Sequence, residues 1–297
     1  MRLYNRQKLL LSLLEAAGGS LGATDLQKLL FLYTRKWEQE PSFRFVPYHY
    51  GCFSFQADAD LNTLLQKGLL ESTREEGWTI TQKAKPYLPK DTLRSLGLFV
   101  TRTVPERGRK LVRRVYQEDP HYATRSRILK STFPNKKERE ALFAAVEKPE
   151  GTRLFTIGYE GDSIDGYLDR LIRNGVQLLC DVRKNPLSRK TGFSKKQLSS
   201  YCERVGIEYR HMPELGIPGH RRRELDGLAD YERLFAEYEQ EDLPQQGAAI
   251  QVIGELLRQY RRVALTCFEK EPEYCHRHCV AEAVEQQIEN CPSIEHI

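Results

Sequence analysis

Long apolar runs, a strong charge of one sign and an even set of cysteines are all missing from this sequence of 297 residues. No stretch approaches the roughly 18 uninterrupted apolar residues that a membrane span needs, so no membrane partner is expected. The N-terminal residues, Met1 to Arg6, run directly into a mixed polar segment with Gln7 and Lys8. This composition does not fit a secretory signal, and we therefore expect a cytoplasmic protein.

The seven cysteines are an odd number scattered along the chain, which is not the pattern of a disulfide-stapled domain. Cys180 and Cys267 also fall in segments that are predicted to be buried strands. Reduced thiols in a reducing compartment fit this distribution better than a disulfide framework.

The net charge is only +5, but basic residues are concentrated in one segment. Between Thr101 and Glu140, twelve Lys and Arg residues stand against five Asp and Glu residues, a local charge of +7. We predict a basic helical connector over residues 91–150 that can follow a phosphate backbone. A solvated helical face without a partner is the alternative that the sequence leaves open.

The first 90 residues show three segments of helical periodicity followed by two short extended pieces, and Thr81 is predicted to start a further helix. This order predicts a winged-helix-like α+β domain over residues 1–90, a fold that binds nucleic acid or protein partners. The segment Tyr50-Gly51-Cys52-Phe53-Ser54, followed by Lys67-Gly68-Leu69-Leu70, resembles the Tyr-Gly-Pro-Phe-Ser pattern of Panacea or SocA-like antitoxin-type domains. The resemblance, in which Cys52 replaces proline, implies a recognition module and no catalysis.

Four short apolar runs in the second half alternate with segments of helical pattern. These runs are Leu154 to Ile157, Val176 to Cys180, Ile207 to Tyr209 and Val263 to Thr266. The alternation predicts βαβ units, and hence a Rossmann-like α/β domain with a mostly parallel sheet flanked by helices over residues 151–297. Because the carboxyl ends of parallel strands meet at one rim, the polar residues that follow them are expected to share one cleft.

Carboxylates and arginines are prominent among these polar residues. Glu160, Asp181 and Glu269 follow three different strands, so together they can bind a divalent cation, or one of them can serve as general acid or base. A guanidinium offers a forked pair of donors to phosphate, and three arginines are therefore predicted to meet an anionic substrate. They are Arg183, Arg189 and Arg277.

Three further side chains at this rim have a functional and a structural interpretation. Tyr159 is placed to stack on a base or bind a phosphate, His211 to shuttle a proton, and Ser188 lies in a turn between two candidate anion binders. A purely structural role in packing is the alternative for each of these three side chains. The basic loop from Gly216 to Glu224 is predicted to be either a flap over a nucleic-acid strand or a solvated charge run.

A group of cysteine and histidine residues comprises Cys267, Cys275, His276, His278 and Cys279. Zinc ligands usually lie in pairs two to four residues apart, whereas Cys267 lies eight residues before Cys275, and among the cysteines only Cys275 and Cys279 have an i, i+4 relation. No cofactor is therefore assigned. Two metal sites are alternatives that the sequence leaves open: zinc at this group, and a divalent cation at Glu160, Asp181 and Glu269. A helix beginning near Cys275 is expected to lower the pKa of its thiol and to leave N–H groups for a phosphate. We place Cys267 among the catalytic candidates, and Cys275 and His276 among the phosphate-binding ones.

Four blocks of the second half, in order, resemble the DUF488 family, which is named for its lack of an assigned function. They are Thr156-Ile157-Gly158-Tyr159-Glu160-Gly161; Asp181 to Arg189 with Gly192-Phe193-Ser194; Tyr209-Arg210-His211 with Leu215-Gly216; and Leu265 to Glu269 with Cys275-His276-Arg277. The resemblance implies a Rossmann-like α/β domain and a link to nucleic-acid processing, without a settled reaction.

Together these features predict an enzyme that acts on nucleic acid, with DNA as the favoured partner and a base as the favoured target. A DNA glycosylase or base-modifying enzyme, in repair or antiviral defence, fits a site in which a flipped base stacks, a carboxylate assists its departure and an arginine holds the flanking phosphate. Two alternatives stay open: a metal-dependent nuclease, and a non-enzymatic nucleic-acid-binding regulator or antitoxin-like adaptor. The N-terminal domain also offers a surface for a protein partner.

Overall fold

The computed structural model describes residues 3–73, 77–81, 88–222, 225 and 227–297. Contacts divide the chain into two compact units, Met1–Glu147 and Lys148–Ile297, each with its own hydrophobic core. Among the described helices, none combines the length and apolar character that crossing a membrane requires. The helix predicted after Thr81 and the last two residues of the basic loop, Arg223 and Glu224, lie outside the described residues.

The first unit combines helices with two small antiparallel sheets. Its described helices are α1 (Asn5–Ala16), α2 (Ala23–Trp37), α3 (Phe55–Gln66), α4 (Lys90–Thr103), α5 (Arg109–Glu118), α6 (Leu129–Thr132) and α7 (Lys136–Phe143). Its described strands are β1 (Ser20–Leu21), β2 (Val46–Tyr48), β3 (Gly51–Phe53), β4 (Leu70–Thr73) and β5 (Gly77–Ile80). Strands β1, β5 and β4 form one sheet in that order, and β2 pairs with β3. This arrangement confirms the predicted α+β domain with its β-wing.

Residues 91–147, predicted as most of the basic connector, belong to the first unit. Phe99 of α4 and Tyr116 of α5 are buried in its core. Part of the positive charge is neutralised within the segment, because Arg113 forms an ion pair with Glu138. The helices are therefore amphipathic elements of the unit, with apolar residues that face its core.

The second unit is built around a five-stranded sheet. Its strands are β6 (Arg153–Gly158), β7 (Leu178–Asp181), β8 (Glu208–His211), β9 (Arg262–Cys267) and β10 (Ile294–His296). Its described helices are α8 (Ile164–Arg173), α9 (Lys195–Arg204), α10 (Leu228–Glu237), α11 (Gly247–Tyr260) and α12 (Arg277–Gln287). A π-helical turn, Tyr238–Asp242, follows α10 directly.

The sheet has the order β10-β6-β9-β7-β8, and every neighbouring pair is parallel. This confirms the predicted parallel sheet flanked by helices. The register places Gly158 opposite Cys267 and Asp181 opposite His211, so the strand ends are nearly level. Strand β10 is not among the predicted strands, because its three residues are exposed or only partly buried and form no apolar run.

The end of β6 lies unusually close to the loop that follows β9. A Cβ atom built on Gly158 would lie 1.8 Å from the backbone carbonyl oxygen of Glu269, so only glycine fits at this position. The close approach sets the distance between the two strand ends from which Tyr159 and Cys267 emerge.

We expect Gly158→Ala to lower the free energy of unfolding by about 1–3 kcal/mol, because the added methyl group forces two backbone segments apart. Urea unfolding followed by circular dichroism measures the loss, and hydrogen exchange at β6 and β9 locates it. Gly247→Ala is the matched control, because a Cβ there has no neighbour within 4 Å. An unchanged stability in Gly158→Ala would show that the backbone contact is not required.

Candidate active site

A cleft of about 320 Å³ opens at the carboxyl ends of β6, β7 and β9. Its wall includes six of the twelve predicted site residues, namely Tyr159, Arg183, Ser188, Arg189, Cys267 and His276. The other six, which are Glu160, Asp181, His211, Glu269, Cys275 and Arg277, do not line the cleft. The structure therefore divides the predicted rim into residues that face the cleft and residues behind its wall, one of which, Glu269, contacts Cys267 directly.

The floor of the cleft rests on a buried ion pair between Asp181 and Arg183. The guanidinium of Arg183 donates through Nε to one carboxylate oxygen at 2.8 Å and through Nη2 to the other at 2.5 Å. The hydroxyl of Tyr209 also donates to Asp181, at 2.6 Å. These donors occupy both carboxylate oxygens and give Asp181 a structural role in the protein; its role as a metal ligand or general base stays a prediction.

The same guanidinium orders two aromatic rings. Its Nη1 group donates to the hydroxyl of Tyr159 at 2.7 Å and to the carbonyl oxygen of Phe193 at 2.9 Å. The rings of Tyr159 and Phe193 stack with centroids 4.4 Å apart. Arg183 is thus not the free anion-binding fork that the sequence indicated, because most of its donors have partners within the protein.

The reactive part of the site is a cluster around Cys267. Its Sγ atom lies 3.4 Å from a carboxylate oxygen of Glu269 and 3.7 Å from Nδ1 of His276. Arg222 joins the cluster, since its Nη1 group donates to Glu269 at 2.7 Å and its Nη2 group donates to Nδ1 of His276 at 2.5 Å. The Nε2 atom of His276 donates to the carbonyl oxygen of Val182 at 3.0 Å, which fixes the ring.

This environment moves the Cys267 and Glu269 pKa values in opposite directions. Burial raises the pKa of the Cys267 thiol, but a hydrogen bond with Cys275 and the interactions with His276 and Arg222 outweigh it, so the pKa lies well below its usual value. Burial and the neighbouring Cys267 raise the pKa of the Glu269 carboxyl, against the effect of Arg222. Relative to their ordinary behaviour, the thiol is therefore shifted towards its thiolate form and the carboxyl towards its protonated form.

The expectation that a helix N-terminus lowers the pKa of Cys275 is wrong. Cys275 is fully buried, and burial together with the adjacent Cys267 raises the pKa of its thiol well above the usual value. Helix α12 begins two residues later, at Arg277. Cys275 acts as a hydrogen-bond donor to the Cys267 sulfur and is not part of the cleft wall, so its binding of a phosphate stays a prediction.

Arg277, Glu160 and His211 also have structural partners. Arg277 is buried and donates to the carbonyl oxygens of Glu269 and Lys270, at 2.5 and 2.8 Å. The exposed Glu160 accepts from the backbone N–H of Lys270 at 3.1 Å. His211 donates through Nε2 to the carbonyl oxygen of Arg183 at 2.8 Å. These three side chains contact the loops around the cleft and are not part of its wall.

Cationic and apolar side chains form the mouth of the cleft. Lys184 and Arg189 are exposed, and neither forms an ion pair within the described part of the chain. Leu187 is 86% exposed, and Phe268 is also exposed, with its ring edge-on to Tyr159. The mouth thus offers positive charge for an anion and apolar surface for a flat ring.

The three predicted carboxylates do not assemble into a metal site. Within the described residues, two groups bring three or more potential ligand atoms within 4.8 Å of one another, and neither contains Glu160, Asp181 or Glu269. One group is Cys267, Cys275 and His276. There the guanidinium of Arg222 already binds the ring nitrogen that a cation would need.

Arg222 is the main residue that the candidate list missed. It lies within the predicted basic loop, but its partners are far away in the sequence: Glu269 is 47 residues and His276 is 54 residues further along the chain. Nothing in the local pattern distinguishes it from Arg221 beside it, which pairs with Glu237 and Asp242 instead. Only the tertiary fold identifies the arginine that enters the cluster.

We expect Asp181→Asn to lower the free energy of unfolding by about 3–5 kcal/mol, because it leaves the buried Arg183 without its counter-charge. Urea unfolding followed by circular dichroism is the measurement. The exposed neighbour change Lys184→Ala is the control, with an expected effect within about 0.5 kcal/mol. A variant that keeps full stability but loses catalysis would instead support the original interpretation of Asp181 as a catalytic acid or base.

Cys267 should be the fastest of the buried cysteines to react with iodoacetamide, and the midpoint of its pH–rate profile should lie below that of an ordinary thiol. The reason is its lowered pKa, which keeps it as a thiolate above that pKa. Mass spectrometry of the alkylated peptides gives the rate at each site. Arg222→Met should shift the midpoint upward, and a profile unchanged by this substitution would contradict the role of the guanidinium.

Comparison with known families supports one of the two resemblances. Residues 163–284 match the model of a family described as domain of unknown function DUF488. The matched span includes Asp181, Arg183 and the Cys267 cluster, but not β6 or the first unit. No curated protein and no solved structure matches the chain. The resemblance of the N-terminal part to Panacea or SocA-like domains therefore stays a prediction, and the second unit is similar over its central part to DUF488 domains.

Proposed function

We propose that this protein is a thiol-dependent enzyme that acts on a base of a nucleic acid, with Cys267 as the nucleophile. The observation that carries the proposal is the position of Cys267 on the cleft wall, 3.4 Å from Glu269 and beside His276 and Arg222. A lowered thiol pKa next to a raised carboxyl pKa brings the pH ranges of a thiolate nucleophile and a carboxyl proton donor closer together.

The cleft suits a flipped base with its flanking phosphate. Its volume of about 320 Å³ is in the range of small-ligand pockets. The exposed ring of Phe268 offers a stacking surface, and Lys184 and Arg189 offer charge to a phosphate. Arg222 also lines the cleft, so its guanidinium adds positive charge near a bound phosphate.

In the proposed reaction, the Cys267 sulfur forms a bond to an electron-poor ring carbon of the base. The π electrons of that carbon move to a ring carbonyl oxygen or nitrogen, which takes the proton of Glu269. This carboxyl lies behind the cleft wall, but it is 3.4 Å from the Cys267 sulfur that carries the adduct. Addition of the sulfur removes the aromatic stabilisation of the ring. Water then attacks the C1′ carbon of the sugar as the bond to the base breaks, the bonding electrons go to the base nitrogen, and that nitrogen takes the proton that the water loses. Return of the ring proton to Glu269 and of its electron pair to the ring expels the thiolate, which restores Cys267 and the protonated Glu269.

The metal-dependent nuclease is the weaker alternative, because Asp181 is held by Arg183 and the three carboxylates do not group. An adaptor without catalysis would have no need for the paired proton donor and thiolate. Neither alternative has a specific contact in its favour.

Incubation of the full chain with plain and modified DNA and RNA, with and without EDTA and followed by heating in alkali, tests the proposal. We expect base loss or base modification that resists EDTA and is abolished in Cys267→Ser. Cys291→Ser is the control, because Cys291 lies outside the cleft and is expected to keep full activity. The rate should fall at low pH as Cys267 gains a proton and at high pH as Glu269 loses one.

Acid-quenched reactions analysed by mass spectrometry should show a protein–nucleic acid adduct on the Cys267 peptide. EDTA-sensitive strand cleavage that survives in Cys267→Ser would establish the nuclease instead. Binding of nucleic acid with no chemical change in any substrate would favour the adaptor.

A further inference from the structure

A second group of potential metal ligands lies apart from the Cys267 cluster and consists of Glu239, His278 and Cys279. One ligand atom from each residue lies within 4.8 Å of the other two. Glu239 belongs to the π-helical turn after α10, and His278 and Cys279 belong to the first turn of α12. Carboxylate, imidazole and thiolate together are a donor set that suits zinc.

The tautomer of His278 is fixed by the backbone. Its Nδ1 atom lies 2.9 Å from the carbonyl oxygen of Pro272 and 2.8 Å from that of Cys275. Carbonyl oxygens only accept, so Nδ1 carries the proton and Nε2 presents a lone pair. Histidines that bind metals are commonly oriented in this way, by a hydrogen bond from the other ring nitrogen.

The distance between the two donor atoms on α12 fits one ion. The Nε2 atom of His278 lies 3.4 Å from Sγ of Cys279. In tetrahedral zinc, bond lengths of about 2.0–2.1 Å to nitrogen and 2.3 Å to sulfur place these atoms about 3.6 Å apart. The agreement requires no rearrangement of the helix.

Within the described residues, Glu239 forms no ion pair, although Glu237 and Asp242 nearby both pair with Arg221. This differs from the group at Cys267, where the guanidinium of Arg222 binds the histidine nitrogen.

We propose that Glu239, His278 and Cys279 bind a zinc ion, with a water molecule as the fourth ligand. The ion joins the π-helical turn to the start of α12. The same turn holds Arg221 through Asp242, and Arg221 precedes the arginine that enters the cleft. The site therefore has a structural role that steadies Arg222, and it is separate from the proposed reaction.

Metal analysis of the purified full chain and titration with Co²⁺ after removal of bound metal test the site. We expect one equivalent of Co²⁺ to give the near-ultraviolet absorption of a thiolate–cobalt bond. Cys279→Ser should abolish this absorption. Glu239→Gln, at an exposed position, should leave the fold intact and weaken Co²⁺ binding by roughly 10-fold or more, since even the hydrogen-bond partners of ligands are worth about 10- to 100-fold in metal affinity.

Cys275→Ser separates this site from the group at Cys267, and it should keep the absorption and the affinity. A wild-type chain that binds two equivalents, one of which disappears in Cys279→Ser, also supports the proposal. The proposal fails if the absorption is lost in Cys275→Ser and kept in Cys279→Ser, if wild type gives no absorption, or if Glu239→Gln binds Co²⁺ as tightly as wild type. If Cys279→Ser does not fold, the Co²⁺ affinity of Glu239→Gln tests the proposed site instead.

Discussion

Asp181 ends a strand that has β9 on one side and β8 on the other, so its carboxylate has no route to water. A buried charge is tolerated only when it is paired and its hydrogen-bonding capacity is filled. Arg183 and Tyr209 meet this need. Because the same guanidinium also binds Tyr159 and Phe193, the neutralisation of one carboxylate determines the position of the whole cleft floor.

The site contains two charged groups with different surroundings, the Asp181–Arg183 ion pair and the Cys267 cluster. The pair at the end of β7 has its hydrogen bonds satisfied within the protein. In the Cys267 cluster a thiol and a carboxyl lie 3.4 Å apart and share one neighbouring guanidinium, so the charge on one group affects the pKa of the other. The proposed reaction needs such a pair of groups above a floor that keeps them aligned while their charges change.

Much of the second unit could be predicted from local pattern, because buried parallel strands leave short apolar runs and their ends carry the polar residues. The pairing of those residues could not be predicted. Arg183 follows Asp181 by two positions, and Arg277 follows Cys275 by two. No periodicity in the sequence shows that both arginines form hydrogen bonds within the protein, Arg183 with Asp181 and Arg277 with the carbonyl oxygen of Glu269. Arg222 reaches its partners only through the tertiary fold, and β10 is too short and too exposed to produce an apolar run.

Arg222 holds Glu269 with one nitrogen and His276 with another, so any anion that it binds must draw on the same guanidinium. The positive charge of Arg222 lowers the pKa of Glu269. An anion that binds Arg222 offsets this charge, so Glu269 keeps its proton more readily. A negatively charged molecule that binds Arg222 would therefore raise the pKa of Glu269 further and favour the protonated form of this carboxyl.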